Sequence, residues 1–222
     1  MVNYKIHEVL PGIFAVEVKD DYERSMLFLR CQEHYESMFD EIRGNHFDIF
    51  KLMDLYRKWK GLEYFSYPYD WSGYNVPGHI VESCTQHVLD ARNGISPTPY
   101  DYIMMEIIQE IKNNFGNPKK YYLIGVDELS GGILDHEISH GLFYVDPEYK
   151  KSVEDILGKM PAEVYSRMSE IILEMGYTES VVADEIQAYM STGLVERMSK
   201  IKGVKEEAKK FSKNFKKHKK ES

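Results

Sequence analysis

The sequence predicts an α+β domain, mostly helical, with a small sheet beside one chemically distinctive helix. Three observations carry that expectation. Apolar residues recur at helical spacing over most of the 222-residue chain. Only residues 3–18 and 120–126 read as strands. The second of these leads, through a short turn, into a helical pattern that carries His136-Glu137-Ile138-Ser139-His140.

The elements follow in order from periodicity and punctuation. Residues 3–18 read as one or two strands broken at Pro11-Gly12, with Ile13, Phe14, Val16 and Val18 apolar. Asp20 or Asp21 caps a helix expected to run to about Phe39. Asn45 is the expected cap of the next helix, whose apolar set includes Phe47, Leu52, Tyr56 and Trp59, and Gly61 stops it. Residues 62–97 read as irregular. Thr98-Pro99 starts a helix with Ile103, Ile107, Ile108 and Ile111 on one side and Gly116 at its end. The strand at 120–126 and the motif helix come next. Helices are expected at about 148–158 and 161–175, the latter ended by Gly176.

The pentad at 136–140 carries the chemistry. At i and i+4 on a helix, His136 and His140 leave the same face and can hold one zinc ion. Two neutral nitrogen ligands leave zinc acidic enough to lower the pKa of a coordinated water toward ~7. Glu137 stands beside them as the base that takes the proton. Ile133, Leu134, Ile138, Leu142 and Phe143 supply the apolar flanks of a packed helix. Asp146 lies six residues after His140 and is one candidate third ligand. It also precedes Pro147 and Glu148, which reads as the N-cap of the following helix.

Residues 120–190 resemble the core of the zincin metallopeptidases, and more narrowly the gluzincins. That resemblance implies a zincin-like fold, one zinc per chain, and a third ligand Glu on a later helix. Asp184-Glu185-Ile186-Gln187-Ala188 fits the segment, with Glu185 at 45 residues beyond His140. His136, His140 and Glu185 would then hold zinc, and Glu137 would act as base and acid in peptide hydrolysis. One departure stands out: thermolysin-like enzymes carry an Asp four residues after the ligand Glu, and this chain has Tyr189 there. The group that orients a zinc-bound histidine is therefore unassigned by sequence. Tyr144, Tyr177 and Tyr189 are the candidates to stabilise an oxyanion. The strand at 120–126 is expected to be the edge onto which an extended peptide adds. The organisation implied is an N-terminal region (1–97), a zincin-like catalytic core (98–196) and a basic tail (197–222). The rival readings are a binding protein with a structural or vestigial zinc site, and a zinc amidase acting on a non-peptide substrate.

Composition bounds the partners. An apolar content of 43% with 17 Tyr, 10 Phe and 2 Trp can build a sizeable core. No apolar run reaches the ~18–20 residues that span a membrane, and the first residues lack a basic-then-apolar leader pattern. Cys31 and Cys84 then read as free, buried thiols, and the expected location is cytoplasmic. The formal charge is −8, yet residues 197–222 hold 11 Lys+Arg against 3 Glu. That tail is the only nucleic-acid candidate. Phe211 and Phe215, at i and i+4, suit docking on the protein itself, so neither nucleic acid nor membrane is expected as a partner. Truncation after Arg197 is expected to leave the chemistry intact. The aromatic run Tyr64–Tyr74 reads either as a substrate-cleft wall or as a loop anchoring itself to the body. His79 and His87 read as hydrogen-bonded structural histidines.

Overall fold

The computed structural model describes residues 2–221, without the side chain of Glu221; Met1 and Ser222, the outer limits of the first and last expected segments, lie outside it. The chain opens with a hairpin, β1 (Lys5–Leu10) and β2 (Ile13–Glu17), turned at Pro11-Gly12. Gly12 takes the left-handed conformation (φ +75°) that the tight turn requires. Helix α1 (Asp21–Glu36) starts on Asp20, whose carboxylate accepts from Glu23 N. Helix α2 (Ile49–Lys60) starts on Asp48 rather than Asn45 and ends on left-handed Gly61.

Residues 62–97 are more regular than their Tyr, Pro and Gly content predicts. They hold a short helix α3 (Tyr67–Asp70), a strand β3 (Tyr74–Pro77) and a three-turn helix α4 (Gly78–Leu89). Helix α4 starts at Pro77-Gly78 with no side-chain cap. Its buried Val81, Cys84 and Val88 recur every three or four residues. Helix α5 (Pro99–Asn114) opens with a reciprocal Thr98/Asp101 capping box. Strand β4 (Tyr122–Val126), the motif helix α6 (Gly131–Val145), α7 (Pro147–Leu157) and α8 (Ala162–Glu174) follow the expected order. Helices α9 (Val182–Thr192), α10 (Glu196–Ser199) and α11 (Val204–Glu221) complete the fold.

The sheet order is β1-β2-β4-β3. Strands β1 and β3 run antiparallel to their neighbours, and β2 and β4 are parallel. Helices cover both faces, so alternate side chains enter two cores. Phe14, Val16 and Leu123 join α1, α2, α4 and α5. Ile13, Ala15, Tyr122, Ile124 and Val126 join α6 to α11. This explains the near-continuous apolar run of β4, which is buried at every residue.

One expectation is corrected. Strand β4 is interior, not an edge, because Tyr74–Pro77 pairs along its open side. The outward N–H of Asn75 on β3 is itself taken by the Gln32 side chain of α1 at 3.0 Å. The strands also come from both sides of residue 97, so the N-terminal region and the core share one sheet. The basic tail is equally integral. Phe211 and Phe215 are buried in the same core as α6 and α9, as their spacing suggested. Among the described residues no helix is long and apolar enough to cross a membrane.

Candidate metal centre

Helix α6 is held tightly against the sheet. A Cβ on Gly141 would lie 2.8 Å from Ile13, so the glycine lets α6 approach β2 closely. That approach buries His140 and Glu137, at 2% and 6% exposure. Helix α9 packs along α6 and brings in Glu185, also 2% exposed.

His136 Nε2 and His140 Nε2 face each other at 3.3 Å. Glu185 closes the triangle, with Oε2 at 3.8 Å from His136 Nε2 and Oε1 at 3.6 Å from His140 Nε2. An ion with tetrahedral ligands at ~2.0–2.1 Å has ligand–ligand edges of about 3.3–3.4 Å. The three separations, those to Glu185 taken to its nearer oxygen, are within about half an ångström of that, and one ligand atom from each residue lies within 4.8 Å of the others. Glu185 Oε2 is buried with no hydrogen-bond partner. An orphaned carboxylate oxygen inside a protein is costly, and a cation at the centre of the triangle would satisfy it. The donor set of two imidazoles and a carboxylate fits zinc.

The ligand orientations have supports that the sequence did not assign. His140 Nδ1 lies 2.9 Å from Asp184 Oδ1, close but off the line of a straight N–H···O bond. Asp184 thus supplies the carboxylate missing at Tyr189. Its only sequence signal is its place beside Glu185. Tyr189 instead lays its ring against His136, centroids 4.7 Å apart. Thr192 Oγ1 sits 3.4 Å from His136 Nδ1 and donates to Ala188 O at 2.7 Å, leaving Nε2 as the free ligand atom. Burial works against an imidazolium at His140, but Asp184, Glu185 and Glu137 outweigh it and hold its pKa well above the usual value. The site is built to attract positive charge.

Glu137 points away from the triangle's third side toward a cleft. Its Oε2 accepts from Asn75 Nδ2 at 2.8 Å, and Asn75 Oδ1 accepts from the Tyr122 hydroxyl at 2.6 Å. Burial raises the Glu137 pKa above the usual carboxylate range, against the pull of His136 and His140. A Cβ on Gly73 would meet Glu137 Oε1 at 2.4 Å, so only glycine there leaves the carboxylate its place. Asn75 and Gly73 lie far from the pentad in sequence, and nothing local announced them.

Two spaces meet at His136 and Glu137. The inner one, about 730 Å³, is walled by Tyr56, Trp59, Tyr67 and Trp71, with Glu33 and Glu36 from α1. Burial, then the nearby Glu185, pushes the Glu36 carboxyl well above its usual range. The outer cleft, about 1110 Å³, is lined by Trp71, Gly132, Ile133, Tyr189 and Thr192. Trp71 and Tyr177 border both spaces and meet edge-on at 6.4 Å. Within the aromatic segment, Tyr67 and Tyr74 anchor it in the core, and Trp71 lines the cleft.

Of the three tyrosine candidates, Tyr177 and Tyr189 reach the cleft. Burial, then Glu185, holds Tyr189 up to about 12, so it remains a proton donor. Tyr144 faces elsewhere, with its hydroxyl on His79 Nδ1 at 2.9 Å. Asp146, the rival third ligand, is engaged as a cap. Its Oδ1 accepts from Glu148 N and Tyr149 N, and its Oδ2 lies 2.9 Å from His218 Nδ1. Comparison with protein-family models, with curated proteins and with solved structures found no match to this chain.

Proposed function

We propose that this chain is a zinc-dependent metallopeptidase of zincin-like, gluzincin-type construction. One observation carries the reading: the buried triangle of His136, His140 and Glu185, with an orphaned Glu185 oxygen, opens beside Glu137 onto a cleft. A zinc ion held by these three residues supplies Lewis acidity when bound. Glu137 takes a proton from the attacking water and returns it to the leaving amine. Asn75 and the constriction at Gly73 fix its carboxylate for both transfers. Asp184 and Thr192 hold the two imidazoles with Nε2 toward the ligand position. Tyr177 or Tyr189 donates to the developing oxyanion.

A second reading, an amidase for a non-peptide substrate, draws support from the sheet. Strand β3 covers β4, and on the outer side of β3 the Asn75 N–H beside Glu137 is already taken by Gln32, so an added peptide strand could not use that donor. The structural-zinc reading lacks a fourth protein ligand in the group that gathers at the site, among the described residues.

The test is Glu137→Gln. It removes the base while keeping shape, and Glu137 is not a ligand. The variant should keep its fold and about one metal ion at the pentad, and cleave a broad peptide library on the order of 10²–10⁴ times more slowly. Equal cleavage by both proteins would refute the role of Glu137. Wild type that binds metal yet cleaves no peptide, but hydrolyses small amides, would favour the amidase.

A further inference from the structure

A second histidine cluster lies on the opposite flank, away from the pentad. His34 ends α1, His46 lies in the connection to α2, and Cys84 and His87 lie on α4. His34, His46 and Cys84 each offer a ligand atom within 4.8 Å of the others. The His46 ring stacks on His34 at 4.8 Å and on His87 at 3.5 Å. Three imidazoles and a thiol rarely gather without a reason, because imidazoles repel one another on protonation. Here the lone pairs are available. His34 Nδ1 lies 2.8 Å from Asn45 O, so that nitrogen carries the proton and Nε2 is free. His46 Nδ1 is buried with no hydrogen-bond partner. Cys84, 1% exposed, makes a long 3.8 Å contact to Arg30 O and shares a thiol–thiol hydrogen bond with Cys31. The nearby Arg30 guanidinium is paired with Asp101 at 2.8 Å.

The geometry points to a second metal site, with His34 and His46 nitrogens and the Cys84 sulfur as ligands for zinc or another borderline-soft divalent cation. Tetrahedral edges to nitrogen and sulfur are about 3.3–3.8 Å, so the ligands close by roughly an ångström. Imidazole χ2 rotation supplies such a shift easily. On binding, the Cys84 thiol releases its proton to solvent and the thiolate ligates. His87, stacked parallel to His46, cannot direct its own lone pair at the same ion and leaves the fourth position to water. The consequence is mechanical. Ser37, Met38 and Phe39, in the same connection as His46, wall the inner space beside Glu137. A metal at the cluster would staple that connection to α1 and α4.

Cobalt(II) titration of the metal-stripped full chain tests this. A thiolate ligand gives an intense near-ultraviolet sulfur-to-cobalt band, which the pentad, lacking sulfur, cannot give. Wild type should bind two equivalents and show the band. Cys84→Ser and His46→Gln should each lose the band and one equivalent while keeping the other; both are mild changes, and circular dichroism checks the fold. Absence of the band in wild type, or its persistence in Cys84→Ser, would overturn the site. The inference is independent of the peptidase proposal. A His136→Ala/His140→Ala protein that loses its equivalent while retaining the band leaves this site standing, and a wild type that binds only the band-bearing equivalent refutes the pentad alone.

Discussion

His140 and His46 each sit beside another histidine, yet their surroundings drive them in opposite directions. Asp184, Glu185 and Glu137 surround His140 and raise its pKa despite burial. Burial, His87, His34 and Arg30 press His46 down to about 4. The first cluster is an electrostatic well for a cation, assembled from carboxylates on two helices. The second offers neutral nitrogens and one thiol, with no carboxylate in the group. The contrast would separate two kinds of metal chemistry. Carboxylate-rich surroundings with a base at hand would suit hydrolysis, whereas the nitrogen–sulfur set has no carboxylate base in its group.

The strongest way to break the comparison is to undermine one cluster's scaffold and leave the other's alone. Phe211 of α11 is fully buried in the core that carries α6 and α9 and is absent from the core around His34 and Cys84. Phe211→Ala should cost about 3–5 kcal/mol, read by denaturant unfolding. Metal at the pentad should weaken more than metal at the second cluster. Equal weakening at both would show that the two cores respond as one. Removing α11 altogether would take away Val204, Phe211 and Phe215 and uncover the faces of α7 and α9 on which the helix packs. Because these residues belong to the core that holds α6 and α9, truncation after Arg197 should lower metal content at the pentad rather than leave it intact.

Legibility followed the range of the interactions. Caps and stops are local, so Asp20, Thr98, Asp146, Gly61 and Gly176 were readable where they stand. The histidine pair is local too, one helical turn apart. Glu185 was reachable only through the gluzincin resemblance, and Asp184 only as its neighbour. Asn75 and Gly73 act on Glu137 from more than sixty residues away, through the pairing of β3 with β4. A four-residue strand containing a proline has almost no signature of its own. Its absence from the sequence reading also made β4 look like an edge. Helix α4 was hidden because it opens without a cap among aromatic and glycine residues.

A smaller effect sharpens the electrostatic half of the comparison. Asp184→Asn keeps the size of the group against His140 Nδ1 but removes its charge. Loss of such an orienting carboxylate typically costs 10–100-fold in metal affinity. The pentad should show that loss by competition with a chelator, while the second cluster, which contains no carboxylate, should not change. An unchanged affinity at the pentad would mean that Asp184 is a bystander.

The smallest effect concerns the residue that competed with Glu185 for the third ligand position. Asp146 caps α7 through two backbone N–H groups and faces His218. Burial works against its charged form, but the Tyr149 and Glu148 N–H groups and His218 prevail and hold its pKa below the usual carboxylate range. A carboxyl with a lowered folded-state pKa contributes stability that is present above its unfolded value of ~3.9 and lost as pH falls through the lowered value. Asp146→Asn can still accept from the helix but loses the charge. It should cost at most about 1 kcal/mol at neutral pH, and this difference from wild type should shrink below about pH 4. Metal content at the pentad should be unchanged, whereas Glu185→Gln should lower it. If Asp146→Asn strips the metal and Glu185→Gln does not, the ligand triangle is wrong, and the short spacing after His140 supplies the third ligand instead.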